Sequence, residues 1–411
     1  MYKKVPGTKD ILPEECIQWQ AIEQASRRIF RLYNYQEIRV PVIEAAALFD
    51  RSLGQSSEIV QKQMFLIKNK EDIYALRPEG TAAIVRAYIE NNLDKTQGFS
   101  KFYYIGPMFR LERPQKGRLR QFHHIGCEVI GSYAPEVDVE AIGLASALLD
   151  AYSIQGYQIQ INSLGCPKDK KALSDILHKK LKDKKSELCA DCQDRLSRNI
   201  LRVLDCKEEL CKNIVKGLNI GAEYLCTDCQ DHFTRVKAGL DDLNVRYEVA
   251  PHLVRGLDYY TRTVFEIRHT GLGAQDAIGA GGRYDNLVKE LGGPDTGAIG
   301  FAFGVERLLL AGTNPPEAGS NLVYVISLGQ EAKKAAAKLL DKMRASGIAC
   351  DTEYEGKSLK AAMRKANDLK ADLVLMLGDN ELKNQSVSLK NMQTGEQREI
   401  KQSDLIQELK C

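Results

Sequence analysis

Four stretches of the chain set charged side chains into strand-like or glycine-rich surroundings, where a charge needs a reason. Residues 253–266 read LVRGLDYYTRTVFE. Their β-branched and aromatic residues predict a buried strand. Arg255 sits inside it beside Gly256, followed by Asp258, Tyr259 and Tyr260. An unpaired buried guanidinium is costly, so Arg255 meets either an internal carboxylate, Asp258 being near, or a ligand anion. The stretch ALRPEGTAA contributes Glu79 and Thr81. FRLERPQKGRLRQF contributes Arg110, Glu112, Arg113, Gln115, Arg118, Arg120 and Phe122. GAIGFAFGVERLLL runs through glycines into a helix holding Glu306 and Arg307. Arginines on rigid elements suit a polyphosphate, because a planar guanidinium grips phosphate oxygens in pairs. No stretch fits the GxxxxGKS or GxxxxGKT pattern, so this is not a P-loop site.

The elements that must position these residues follow from periodicity. Apolar spacing over 14–32 predicts a helix. EIRVPVIEAAALF predicts a strand and then a helix, with Pro41 marking an edge or an interface. KFYYIGPMFR and FHHIGCEVIGSY predict two strands of a long antiparallel hairpin around a cationic loop. A helix (VDVEAIGLASALLDAYSI) and a strand (YQIQINSLG) come next. From about 166 to 245 the chain turns Lys-rich and mostly helical, which predicts an insertion at 167–245 within a larger domain spanning 1–320. GTNPPEAGS at 312–320 predicts a linker. Beyond it, strands alternating with two helices predict a small α/β domain over 321–411, ending in a hairpin.

Bulk properties bound the class. A chain of 411 residues has room for two to four domains. At 44% hydrophobic and 27% charged, it has the composition of a soluble globular protein. A net charge of +3 does not advertise nucleic-acid binding, though a local basic face is sufficient for it. No apolar run approaches the ~18 residues of a membrane span, and no apolar leader follows the start. The eleven cysteines are therefore expected as reduced thiols or metal ligands in a cytoplasmic protein.

Taken together, these stretches resemble the class II aminoacyl-tRNA synthetases. PMFRLERP is similar to that class's second motif, GFAFGVERLLL to its third, and YQEIRVPVIEAAALF to its looser first. Within the class, LVRGLDYYTRTVFE and AGGRYDNL resemble the stretches peculiar to the histidyl-tRNA synthetases, and PGTKDILP and RPQKGR agree. The resemblance covers essentially the whole chain and points to the bacterial form. It implies an α+β fold: an antiparallel sheet flanked by helices, a helical insertion, and a C-terminal α/β anticodon-binding domain. It also implies a homodimer that joins L-histidine to its tRNA through a histidyl-adenylate, with ATP and magnesium.

The resemblance also carries roles. Arg255 and Arg110 would hold the α-phosphate, Arg255 also the histidine carboxylate. Arg307 and Arg118 would grip the γ-phosphate, Phe122 would stack on adenine and Glu112 would read its amino group. Glu79, Gly80 and Thr81 would surround the substrate amine. Glu128 and Tyr260 would bond the two imidazole nitrogens, with Tyr259 lining the pocket. A site built to satisfy both nitrogens discriminates by ~10⁴ without editing. Arg113 and Gln115 would read the extra 5′ guanosine of the tRNA. Blander readings stand beside these. Thr81 could cap a helix, Glu128 could form an ion pair, Tyr259 could be core, and Arg113 and Arg120 could be solvated. The Lys-rich run 167–185 could touch the acceptor stem or face solvent.

One departure carries a consequence. The family usually has glutamine where this chain has His124. A protonated imidazole would repel the substrate ammonium, which predicts weaker histidine binding in acid and its rescue by His124→Gln. Two Cys-x-x-Cys pairs, Cys189/Cys192 and Cys226/Cys229, suggest one structural zinc, with Cys206 and Cys211 as possible substitutes. Buried free thiols are the alternative. A catalytically inactive sensor or regulatory subunit is the rival reading of the whole chain. It typically lacks the arginines or the C-terminal domain that this chain has.

Overall fold

The structure is a computed structural model and describes residues 2–54, 57–218, 220–312 and 322–410. From residue 313 on, the linker expected at 312–320 lies outside the described residues. The chain forms two compact units, Met1–Pro316 and Glu317–Cys411.

The first unit is built on an eight-stranded sheet. Its strand order is Gln36–Glu37, Ser100–Phe109, Gln121–Ile130, Ala298–Gly304, Ala277–Arg283, Thr261–His269, Tyr157–Ser163 and Tyr247–Val249. Only the two short outer strands pair in parallel; the six between them are antiparallel. The expected hairpin is present, with Ser100 opposite Ile130 and Phe109 opposite Gln121. Strand alternation sends neighbouring residues to opposite faces. Phe102, Tyr104 and Met108 pack on one side with the helices Ala46–Leu53 and Thr81–Glu90. Tyr103, between them, packs on the other side with helices Pro13–Leu32, Pro135–Ala151 and Thr227–Asp242. A small antiparallel sheet of Ile43–Ala45, Asp72–Leu76 and Phe65–Asn69 lies in the same unit. Pro41 falls between Gln36–Glu37 and Ile43–Ala45, in neither strand.

Between Tyr157–Ser163 and Tyr247–Val249 the chain is helical throughout its regular elements. Helix Pro167–Leu181 buries Leu173, Leu177 and Leu181, spaced by four, against the Tyr104 side of the core. Its lysines mostly face solvent, but Lys170 turns inward and donates to the carbonyls of Asp258 (2.9 Å) and Tyr260 (3.0 Å).

Residues 253–260 correct the sequence reading. They form no strand; the strand begins at Thr261. The carbonyls of Gly256, Asp258 and Tyr260 accept from Arg202 and Lys170 of the insertion in place of strand partners.

The second unit has a five-stranded sheet ordered Cys350–Thr352, Val323–Ser327, Leu373–Leu377, Ser386–Asn391, Gln397–Lys401. The first three strands are parallel and the last two form the C-terminal hairpin. Ala336, Leu339, Leu340 and Met343 give helix Gln330–Ala345 its buried face.

Candidate active site

A cleft of about 500 Å³ opens on the Tyr104 side of the large sheet. Its wall brings together Glu79, Gly80, Thr81, Arg110, Glu112, Arg118, Phe122, His124, Arg255, Tyr259, Tyr260 and Arg307. These residues come from the hairpin, the loop it carries, the helix after Gly80, the 253–260 run and the helix after Gly304. Arg113 and Gln115 are exposed and off this wall. Gln115 and Arg118 exchange backbone hydrogen bonds of 3.0 and 2.9 Å around Gly117, whose φ of 72° suits glycine.

The partner of Arg255 is Glu266, at 2.5 Å, on the strand that follows. Asp258, the neighbour in sequence, instead accepts from the Asn199 amide at 2.8 Å. Burial works against the Arg255 cation, but Glu266 outweighs it and the group is held fully charged. Its Nε is buried and finds no hydrogen-bond partner among the described residues, on a side chain that lines the cleft. Arg202 donates to the Gly256 carbonyl at 2.5 Å, so the insertion positions this run from behind.

Three further guanidinium groups crowd one end. Arg110 donates to the Pro78 carbonyl at 2.9 Å and stands 5.2 Å over the Phe122 ring. Burial and the neighbouring Arg118 and Arg255 pull its pKa down to about 10, against the pull of Glu79. Arg307 donates to the carbonyls of Gly117 (2.9 Å) and Ala277 (2.6 Å), and burial with Arg118 and Arg110 lowers it too. Arg118 is paired with Glu112. Mutual repulsion among fixed cations is relieved by an anion, so this end of the cleft favours a polyanionic ligand.

The other end is closed by a buried carboxyl. Glu128 is only 1% exposed and lies behind the wall rather than on it. Thr81 donates its hydroxyl to Oε1 and Tyr284 donates to Oε2, each at 2.7 Å. Burial lifts its pKa to about 8 despite these bonds. Thr81 therefore serves Glu128 with its side chain and does not cap. The cap is Glu79, whose carboxylate accepts from the backbone N–H of Thr81 (2.7 Å) and Ala82 (2.8 Å) at the helix start. Burial raises Glu79 as well, and these two bonds only moderate the rise.

Sequence reasoning missed Tyr284, Tyr104 and Gly300. A Cβ at Gly80 or at Gly126 would come within 2.6 Å of the Tyr104 ring, and one at Gly300 would overlap the Glu128 carboxylate. The glycines were the available signal: three of them clear the space that Tyr104 and Glu128 fill.

His124 is half-buried, and its Nδ1 has no hydrogen-bond partner among the described residues. Burial, then Arg110, Arg307 and Arg77, hold its pKa down at about 3. Burial first, and the arginines after it, disfavour the protonated imidazole, which works against the acid-sensitive ammonium site expected from the sequence. His123, beside it, is held differently, its backbone and ring both bonded to Glu306 at 3.0–3.1 Å.

The shared zinc expected from the two Cys-x-x-Cys pairs is corrected. Cys189 and Cys192 gather with Cys206 and Cys211, whereas Cys226 and Cys229 gather with Cys166 and Asp169. The pairs begin two different helices, Ala190–Arg198 and Thr227–Asp242, which keeps them apart.

Comparison with known proteins places this geometry. The family model described as histidyl-tRNA synthetase matches residues 7–308, and one described as anticodon binding domain matches 322–411. The chain is 45% identical to the histidine–tRNA ligase of Halothermothrix orenii over 408 residues, covering 98% of this chain and 97% of that protein. It is 46% identical to the histidine–tRNA ligase of Thermosipho melanesiensis, covering 99% and 98%. The crystal structure of apo histidyl-tRNA synthetase from S. aureus superposes with a TM-score of 0.83 at 35% identity, covering all of both chains. The sensor reading finds no support in these full-length relatives, and the architecture is that of a class II synthetase with a C-terminal anticodon-binding domain. The chain belongs to the histidyl-tRNA synthetase family, the ligases of histidine and its tRNA.

Proposed function

We propose that the cleft activates L-histidine with ATP and magnesium, and then passes the histidyl group to its tRNA. The observation that carries this reading is the pairing of a cationic end, with Arg110, Arg118, Arg307 and the free Nε of Arg255, and a closed end built around Glu128. The α-phosphate lies between Arg110 and Arg255, the γ-phosphate on Arg118 and Arg307, and adenine on Phe122 near Glu112. The histidine carboxylate attacks the α-phosphorus and pyrophosphate leaves. A terminal ribose hydroxyl of the tRNA then attacks the acyl carbon and AMP leaves. No protein nucleophile is needed; the residues position groups and stabilise charge.

At the closed end, the substrate ammonium takes the Thr81 hydroxyl and the Gly80 and Glu79 surroundings, with His124 as a neutral acceptor. The Thr81 hydroxyl accepts from that ammonium while still donating to Glu128 Oε1, whose other lone pair receives one imidazole N–H; Tyr260 serves the other nitrogen and Tyr259 flanks the ring. Arg113 and Gln115, exposed on the hairpin loop, face the tRNA acceptor end. The functional division is a catalytic domain over 1–320 with its insertion at 167–245, and an anticodon-binding domain over 321–411. The small sheet exposes Ile43 and Ile67 on one face and Leu66 and Ile73 on the other, which supports a homodimer formed around this sheet. No described helix is long and apolar enough to cross a membrane, and the substrate tRNA supports a cytoplasmic site of action.

The test is amino-acid-dependent ATP–pyrophosphate exchange across all twenty amino acids. Exchange with histidine alone, lost in Arg255→Ala, supports the reading. Exchange driven by another amino acid overturns the closed end as a histidine site.

A further inference from the structure

The insertion places four thiols in one knot. Cys189 precedes helix Ala190–Arg198, Cys192 lies in its first turn, Cys206 follows the turn Ile200–Val203, and Cys211 sits in helix Glu209–Lys216. Their four sulfurs lie within 4.8 Å of one another. Cys192 and Cys211 are fully buried and Cys206 nearly so. Cys189 Sγ and Cys206 Sγ are 3.8 Å apart. That is too long for a disulfide, whose sulfurs sit ~2.05 Å apart. It matches the edge of a tetrahedron of thiolates around zinc, ~3.8 Å for a metal–sulfur bond of ~2.3 Å. The backbone N–H of Cys189 also points at Cys211 Sγ, 3.3 Å away, as second-layer donors do around bound thiolates.

We infer that Cys189, Cys192, Cys206 and Cys211 form a structural tetrathiolate site for a zinc ion. Four sulfur donors in a closed arrangement select a thiophilic tetrahedral cation and leave no open position for catalysis. The second cluster is a weaker candidate. Both oxygens of Asp169 already accept backbone N–H groups, from Cys166 at 3.1 Å and Cys226 at 3.0 Å, and Cys226 is exposed.

The site has a task that free thiols would not perform. The segment between Cys192 and Cys206 carries Asn199 and Arg202, which hold Asp258 and the Gly256 carbonyl. Cys189 and Cys206 themselves reach the cleft wall. The ion ties the ends of this segment together and so fixes the run that presents Arg255. The inference does not depend on the adenylation reading, since its first measurement is metal content.

The experiment is elemental analysis of the full chain purified under reducing conditions without chelator, alongside Cys189→Ser, Cys211→Ser and Cys226→Ser. The expected result is one zinc per chain that a thiol-modifying mercurial releases, lost in the first two variants and kept in Cys226→Ser. If either variant misfolds, cobalt added to metal-free wild type gives the reading instead, through the intense thiolate-to-cobalt absorption of a four-sulfur site. A wild-type protein that holds no zinc and takes up no cobalt overturns the inference. So does zinc that Cys189→Ser and Cys211→Ser leave in place. If two zinc ions are found, loss of one in Cys211→Ser still supports it.

Discussion

Tyr284 and Glu128 meet at the closed end of the cleft, the tyrosine hydroxyl donating to Oε2 at 2.7 Å. They come from distant parts of the chain and are brought together because strand Ala298–Gly304 sets Gly300 opposite Glu128 and clears the space between them. Tyr284→Phe removes the donor and leaves a buried acceptor short of a partner. The histidine KM is expected to rise about 5- to 150-fold, the equivalent of ~1–3 kcal/mol, with the ATP KM little changed. Equal effects on both constants would show that Tyr284 supports the fold and not the histidine end.

Glu128 links stability to pH. Its folded pKa, about 8, stands above the ordinary value of 4.5. The folded state therefore binds a proton that the unfolded state has released, and stability falls as pH rises from about 4.5 to about 8. Glu128→Gln cannot ionise and should flatten this fall. Urea unfolding midpoints of both proteins across that range check it; curves that stay parallel would exclude Glu128 as the source.

Arg307 repels Arg110 and Arg118 in the free cleft. Arg307→Ala should raise the ATP KM about 10- to 150-fold, as loss of a charge-assisted hydrogen bond of ~1.5–3 kcal/mol does. Thermal stabilisation by ATP should shrink in parallel, while the unliganded protein changes less. A variant whose ATP-induced shift in Tm equals that of wild type would remove Arg307 from the phosphate site.

His124 stays neutral until pH approaches about 3. The histidine KM of wild type and of His124→Gln should therefore follow parallel pH profiles between about pH 5 and pH 8. A rise in acid confined to wild type would mean that bound substrate restores the proton to this ring.

The hairpin Ser100–Phe109 and Gln121–Ile130 was legible because alternation and turn chemistry are local signals. The arginines were legible because a cation in a strand-like run is conspicuous. What they pair with was not. Glu266 reaches Arg255 through the path of the chain after Tyr260, and nothing in the spacing favours it over Asp258. The run 253–260 has strand composition but no ladder partner, and tertiary donors such as Lys170 decided its shape. The cysteines show the same limit: Cys-x-x-Cys names two ligands of a set, and only the helix packing chose Cys206 and Cys211 over Cys226 and Cys229 to complete the first. Tyr284 carried no charge to draw notice, and its partner Glu128 lies on a strand encoded far away.

The last strand of the large sheet to be synthesised, Ala298–Gly304, lies at its middle, between Gln121–Ile130 and Ala277–Arg283. Until that strand emerges from the ribosome the sheet is two separate halves, each with an open edge. At translation rates of ~5–20 residues per second, the early hairpin waits many seconds for its neighbour. A nascent chain halted before residue 298 therefore exposes strand edges that recruit chaperones or other chains. In the cell, the unit folds to completion only after nearly all of it has been made.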